Sequence, residues 1–498
     1  MNKIMKTTFT FLLLSLMIIS GGCKKFLDRK PLGSATAGDL AAGGVDEKVF
    51  GLYGKLRDEG ISGFALLWFK TIRSDDAAKG STPNDAAAQG QIMDNFQYAN
   101  GIDMWPFNDW WNGHYNFIYA CNDILHDIDS LQLNDQGSMI NKGEASFMRA
   151  FAYFDLVRDY GEVPIVKNKI YQAGDANLPK STVDQVYAFI EEDLQVAVQN
   201  LPPTWASAFA GRVTKGTANA LLAKVYLYRK NWAGALARSE EVINSGLYKL
   251  TPNYVDYFKE SGENNAESLF EIQQYVNANG SLVIANNFAI VQGVRGSGAW
   301  DFGWGFNVPT QNLVNAYEPD DPRKNATILY TGQPDGIYGL TLPADLPQPY
   351  WNKKIYSDPA RRAATGMRFA QWMNVRLIRY ADVLLMAAEA ANETGNAAKA
   401  VDYLEMVRAR ARGNANILPK VTTTNQAELR NAIKHERRVE FGMEYERFYD
   451  LVRWGDAITV LGPLGYQERN RYFPIPQGAI DRSKVNGVEV LKQNPDWK

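Results

Sequence analysis

The chain has 498 residues, of which 46% are hydrophobic, 12% aromatic and 22% charged; this is enough apolar material to offset the ordering entropy of a large folded body, and it excludes a disordered or fibrous protein. Its 53 Lys and Arg against 55 Asp and Glu leave a formal net charge of -2 with no long run of either sign, which argues against a phosphate-tracking surface and so against nucleic acid as a partner. Cys23 and Cys121 are the only cysteines, and His114, His126 and His435 the only histidines, too few for a disulfide scaffold or a thiolate or imidazole metal cluster, so neither cofactor nor metal is expected.

The amino-terminus reads as an address. Residues 1–8 carry Lys3 and Lys6, residues 9–19 are apolar apart from Thr10 and Ser15, and Ser20-Gly21-Gly22-Cys23 follows. The apolar run is about a dozen residues long, short of the roughly 20 that span a bilayer as a helix, so it reads as a cleaved secretory signal. A cysteine directly after three small residues predicts a lipoprotein signal over 1–22, with Cys23 lipidated as the new terminus. The plainer alternative is an ordinary signal followed by a chance cysteine. At about 0.8 kcal/mol per buried methylene, two acyl chains hold a protein stably on a membrane.

After a polar stretch over 24–44 the chain alternates helices with long irregular segments. Residues 62–110 hold Trp68, Asp75, Asp76, Lys79, Trp105, Phe107 and Asn108 outside any helical stripe. Trp111, Tyr115, Ile118, Cys121, Asn122 and Leu125 then recur at spacings of three and four, which predicts a helix with one buried stripe; in that stripe Cys121 reads as a small hydrophobe. Residues 140–160 and 182–200 are further helices, closed by Gly161 and by Leu201-Pro202-Pro203. In 214–244, Ala223 and Ala235 flank a break at Lys230-Asn231. In 381–411, Ala388 and Ala400 flank one at Gly395-Asn396. Small residues at that spacing let paired helices approach closely, the packing logic of tetratricopeptide repeats.

Between these helix pairs, residues 273–317 carry only Arg295 and Asp301 as charges, while Trp300, Phe302, Trp304 and Phe306 alternate. Such a segment is no amphipathic helix and is too long for an idle connector. A second irregular stretch, 331–351, holds Tyr338, Tyr350, Trp351 and four prolines; surface padding is its plainer reading. Late in the chain Glu444, Arg447, Asp450 and Arg453 recur at spacing three, which predicts a salt-bridge ladder on one helical face in preference to a carboxylate site. Asp320-Asp321 lacks the ligand spacing of a calcium loop.

Six blocks in order resemble the SusD/RagB family: RAFAYFDLVRDYGEVPIV (149–166), AESLFEIQ (266–273), VRLIRYADVLLMAAEAANETG (375–395), HERRVEFGMEYERFYDLVRWGDA (435–457), YFPIPQGAID (472–481) and LKQNPDW (491–497). The resemblance implies a mostly α-helical, SusD-type fold, a single domain over 23–498. Four tetratricopeptide-like helix pairs would form a platform, mainly 44–250 and 374–460, under irregular binding regions, mainly 62–110 and 251–373. It further implies a non-enzymatic lipoprotein of the outer membrane, facing the cell exterior, that binds a glycan or another nutrient and hands it to a SusC-like TonB-dependent transporter. Lys24 and Lys25 depart from the acidic residues often found after the anchor of surface-exported lipoproteins, so the anchor alone does not choose the membrane face.

A sugar offers apolar C–H faces and a rim of hydroxyls, so its site needs aromatic platforms beside fixed donors and acceptors. The expected ligand residues are Trp105, Trp300, Trp68, Phe302 and Tyr338 as platforms and Asp75, Asp76 and Arg295 as hydrogen bonders, with Phe107, Trp351, Lys79, Asn108, Asn286, Asn287 and Asp301 as further candidates. Trp304, followed by Gly305, is expected to pack. Two other classes compete: a helical-repeat interaction subunit binding a non-glycan nutrient such as peptide, and a secreted glycoside hydrolase, which needs two carboxylates roughly 5 to 9.5 Å apart in a loop setting that the sequence does not offer.

Overall fold

Helix starts in this chain are encoded by short polar side chains. The computed structural model describes residues 44–98, 103–367 and 371–497; the predicted signal over 1–22 and Cys23 lie outside the described residues. In it the side chains of Asp135, Thr182, Thr214, Asn231 and Asn396 each accept a hydrogen bond from the backbone N–H three residues on, satisfying donors that a first helical turn leaves unpaired. The long helices are α1 (Gly44–Lys55), α2 (Trp105–Ser130), α3 (Gln136–Tyr160), α4 (Val183–Asn200), α5 (Lys215–Tyr228), α6 (Trp232–Asn244), α7 (Tyr380–Glu393), α8 (Ala397–Arg412), α9 (Gln426–Glu440) and α10 (Arg447–Trp454). Gly161 ends α3 with φ +72°, and a Cβ there would stand 3.0 Å from the Tyr472 ring, so both the left-handed backbone and the close approach require glycine.

Successive helices pack on one another from α2 through α7, and α7 also packs on α8 and α9. Ala223 and Ala235 lie on the paired helices α5 and α6, and Ala388 and Ala400 on the paired helices α7 and α8; all four are fully buried. The protein is mostly helical; among the described residues the strands form five short two-stranded sheets. β1 (Ala77–Gly80) pairs antiparallel with β5 (Phe306–Pro309), β2 (Ser268–Ile272) with β8 (Val375–Arg379), β3 (Tyr275–Val276) with β4 (Val283–Ile284), and β6 (Ile328–Tyr330) with β7 (Tyr350–Asn352). The β2–β8 pair is largely buried, with Phe270 packed on Phe147 and Phe151 of α3. The β1–β5 pair brings the first loop region against the mid-chain segment. A satellite core of Val294, Phe302, Val308, Leu329, Leu342, Trp351 and Tyr356 supports that segment from beneath.

The late charged block is not a ladder along one helix. The chain leaves the helix after Glu440 and re-enters it at Arg447, so Glu444 sits in the turn and reaches Lys354 and Arg379. Asp450 and Arg453 do pair within α10, but Asp450 also accepts from Arg437 (2.9 Å) and Arg453 donates to Glu389. Arg323, fully buried, is held by Asp321 (2.8 Å), Glu436 and Glu440 (3.1 Å). Burial alone would raise the Glu440 carboxyl, but Arg410, Arg379 and Arg323 hold it far below the usual range. These charges are spokes of a buried hub where α9 meets α7, α8 and the excursion, and Asp321 is committed to Arg323.

Glu263 has the opposite balance. Burial pushes its carboxyl up to about 8, with Arg376 at 3.7 Å and the Asn374 N–H at 2.8 Å offsetting only part of this. A group that holds its proton more tightly when folded lends stability that is full below its unfolded pKa, about 4.3, and lost as pH rises toward 8. Glu263→Gln removes that loss. Urea unfolding is expected to show the variant gaining on the wild type as pH rises from about 4.5 to about 8; a pH-independent difference would contradict the shift.

Candidate ligand-binding face

Trp105 opens α2. The structure thus corrects the expectation that Trp105, Phe107 and Asn108 lie in a loop: all three stand in the first turn, where Pro106 is tolerated because its missing N–H would be unpaired anyway. The turn's inner side buries Phe107 between Phe69 and Phe473. Its outer side leaves Trp105 40% exposed. Phe64, at the head of a short helix (Phe64–Leu67), lies 5.3 Å from the Trp105 ring and 6.1 Å from that of Trp304. Trp304 is 38% exposed. The expectation that Trp304 packs inside is therefore overturned, and a row of Trp105, Phe64 and Trp304 forms an open aromatic face.

The reason lies in the backbone. Four aromatics at a spacing of two would share one face of an ideal strand. Here the Phe302 N–H donates to Val294 (2.9 Å), the Trp304 N–H to Ile290 (2.8 Å) and the Gly305 N–H to Gly293 (3.0 Å). Gly305 turns at φ +73°, and a Cβ on it would stand 2.7 Å from that of Arg295. The turn sends Phe302 and Phe306 inward and Trp304 outward.

Polar groups flank this face. Arg295 and Asp85 form a half-exposed ion pair. The Ser81 hydroxyl lies within donating distance of both the Trp304 carbonyl (2.7 Å) and Asp85 (2.9 Å) and accepts from Arg295 (2.9 Å), so the pair is fixed to the backbone of the indole. Hydrogen bonds from Thr82 and Ser81, with Arg295 adding attraction, hold the Asp85 carboxyl below its usual value. On the Phe64 side, Glu59 accepts from the backbone N–H groups of Phe64 (3.2 Å) and Asn287 (3.0 Å). Asp85, Glu59 and Phe64 are absent from the sequence-derived set. No periodicity marks them, because each is placed by contacts with segments more than 200 residues away.

Several expected ligand residues are committed elsewhere. Trp68 is fully buried beneath Phe64 and Phe306, so it is core and not a platform. Trp351 is also fully buried, its indole N–H donating to Thr331 (3.0 Å). Asp75 and Asp76 are buried and bind Arg438 and Arg447 at 2.6 to 2.9 Å. Burial would raise both carboxyls; Arg447 and Arg438 hold Asp75 below its usual value, whereas burial wins at Asp76 and pushes it up. They clamp the first loop region to α9 and α10 and offer a ligand nothing. Asn286 is buried against Ser62 and Gln274, and the Lys79 ammonium is spent on the carbonyls of Thr82 and Asp85, both at 2.8 Å. Phe302 is buried under the Arg362 guanidinium. Trp300 and Tyr338 stay partly exposed and form a second aromatic group around Tyr356, at 6.3 and 5.4 Å. Cys121 is buried, and burial pushes its thiol well up, which fits a packing role.

Residues 244–470 match the family described as "SusD family", and residues 66–227 match the one described as "Starch-binding associating with outer membrane". SusD-like protein P2 of Formosa agariphila is 28% identical over 99% of both chains. Among solved structures, a "Laminarin binding SusD-like protein" is 28% identical, superposes with a TM-score of 0.76 and covers 93% of this chain and 100% of its own. Surface glycan-binding protein A from Bacteroides thetaiotaomicron in complex with laminarihexaose is 26% identical, with a TM-score of 0.70 and coverage of 90% and 98%.

Proposed function

Because the chain belongs to the SusD family, we propose that it is a glycan-binding component of an outer-membrane uptake system, tethered through Cys23, which captures an oligosaccharide and delivers it to a SusC-like TonB-dependent transporter. The observation that carries this reading is the open row of Trp105, Phe64 and Trp304 beside the Arg295–Asp85 pair and Glu59. Indole faces stack on the apolar face of a pyranose while the charged rim meets its hydroxyls. The relatives named for laminarin and laminarihexaose support a neutral glucan as the first ligand class to test. Among the described residues no helix is long and apolar enough to cross a membrane.

An open face with a few net hydrogen bonds, each contributing about 0.5 to 1.5 kcal/mol, gives micromolar to millimolar affinity, and tethering beside a transporter raises the effective concentration. Weak binding suits transfer onward. Titration calorimetry of the mature protein with laminarihexaose and a panel of neutral oligosaccharides is expected to give saturable binding in that range, with no new reducing ends. Release of reducing ends would make the protein a hydrolase. If no glycan bound while the transporter complex still formed, the interaction-subunit reading would replace this one.

A further inference from the structure

On the helical platform, a cleft of about 270 Å³ opens between the end of α3, the start of α4, the end of α5 and α10. Its floor is cationic. Arg158 and Arg453 lie there, and both are neutralised from behind by buried carboxylates, Asp155 for the first and Glu389 and Asp450 for the second. Arg229, Lys230 and Arg471 stand at its mouth. Of these Arg229 is tied to the largely exposed Asp184, and neither Lys230 nor Arg471 makes an ion pair among the described residues. Among the described residues no carboxylate lines the cleft.

Cations near helix C-termini are expected from the dipole, which accounts for Arg158 and Arg453 and for Arg229 and Lys230 just past the end of α5, but not for the lack of a carboxylate among the residues that line the cleft. The walls are aromatic, from Tyr187, Tyr228, Trp454 and Tyr472, and Arg229 and Arg471 lie over the rings of Tyr187 and Tyr472 at 5.0 Å. A surplus of cations facing ring-shaped apolar walls fits a ligand that is both ring-like and negatively charged.

We infer that this cleft is a second saccharide site, selective for a sugar ring bearing an oxyanion, either the carboxylate of a uronate or a sulfate ester. Its volume suits one such ring. The sugar half of this inference rests on the glycan reading above; the anion half rests on the cleft alone. Lys230 and Arg471 neutralise the oxyanion at the mouth and the tyrosine walls hold the ring. The site is separate in its residues from the Trp105–Phe64–Trp304 face, so an acidic branch and a neutral backbone can be read independently.

The test is calorimetry of the full mature chain with D-glucuronate, glucose 6-sulfate, glucose and inorganic sulfate. One or both acidic sugars are expected to bind in the millimolar range, at least about tenfold more tightly than glucose, and to weaken several-fold between about 50 and 500 mM NaCl. The pair Lys230→Ala and Arg471→Ala, both exposed, is expected to cost at least about tenfold for the acidic sugars, with Tm and laminarihexaose binding unchanged. Absence of acidic-sugar binding, binding unaffected by the double variant, or inorganic sulfate binding as tightly as the sulfated sugar would overturn the inference. Acidic-sugar binding that persists in a protein binding no neutral oligosaccharide would sink the proposed function and leave this cleft standing.

Discussion

Replacing Arg323 with Met is expected to remove about 3 to 5 kcal/mol of stability at pH 8, because it strands buried carboxylates and leaves their attraction unmet. Asp321, Glu436 and Glu440 converge on this one guanidinium, which is fully shielded from water. Glu440 keeps Arg379 and Arg410, and Glu436 keeps Arg408 at 3.1 Å, whereas Asp321 keeps no other ion-pair partner among the described residues. The deficit therefore concentrates on Asp321, which can be relieved only by taking up a proton. The loss is accordingly expected to shrink as pH falls toward 5, since a stranded carboxyl has its folded pKa raised and its cost appears only above its unfolded value. In the wild type the sign is reversed at Glu440, whose depressed carboxyl lends stability above the ordinary glutamate range that disappears on acidification. Urea midpoints at pH 8 and pH 5 read the Asp321 effect, and the loss of the Glu440 contribution requires midpoints below about pH 4; a loss below about 1 kcal/mol at pH 8 would show that the hub is not energetically connected.

Truncating the indoles should act on binding and spare the fold. Trp105→Ala and Trp304→Ala are each expected to weaken oligosaccharide binding by about thirtyfold, equivalent to about 2 kcal/mol for an aromatic anchor. Tm should change little, since roughly two fifths of each residue already faces water. Trp68→Ala is the control: with no exposure, with Phe64 stacked on it and with Phe306 packed edge-on against it, its loss should cost about 3 to 5 kcal/mol of stability. If Trp304→Ala unfolded the protein, or left affinity intact while Trp300→Ala abolished it, recognition would move to the group around Tyr356.

Some local features were legible to the residue. Thr182 and Leu201 bound α4 because a hydroxyl can cap and a Leu-Pro-Pro run cannot continue a helix. The breaks at Lys230-Asn231 and Gly395-Asn396 fall where the chain turns. Trp111, Ile118 and Cys121 are buried along one stripe of α2 as their spacing demands. Side-chain partners were less accessible. Asp75 and Asp76 carry the chemistry of a sugar site, and nothing local distinguishes a carboxylate facing water from one facing Arg447, 372 residues later. Likewise Trp68 and Trp105 both sit in aromatic, Gly-containing surroundings, yet one is sealed by Phe306 and the other stands at the outer edge of a helix start.

The order of helices, the burial of their paired alanines and the SusD-type fold were set down in the linear text, because caps, breakers and periodicity act between residues a few positions apart. Which tryptophans meet water, which acids find arginines and where unpaired cations gather were decided only when distant segments met. Exposure and charge pairing are properties of neighbours in space, and the backbone turn at Gly305 that turns Trp304 outward exists only against the segment it leans on.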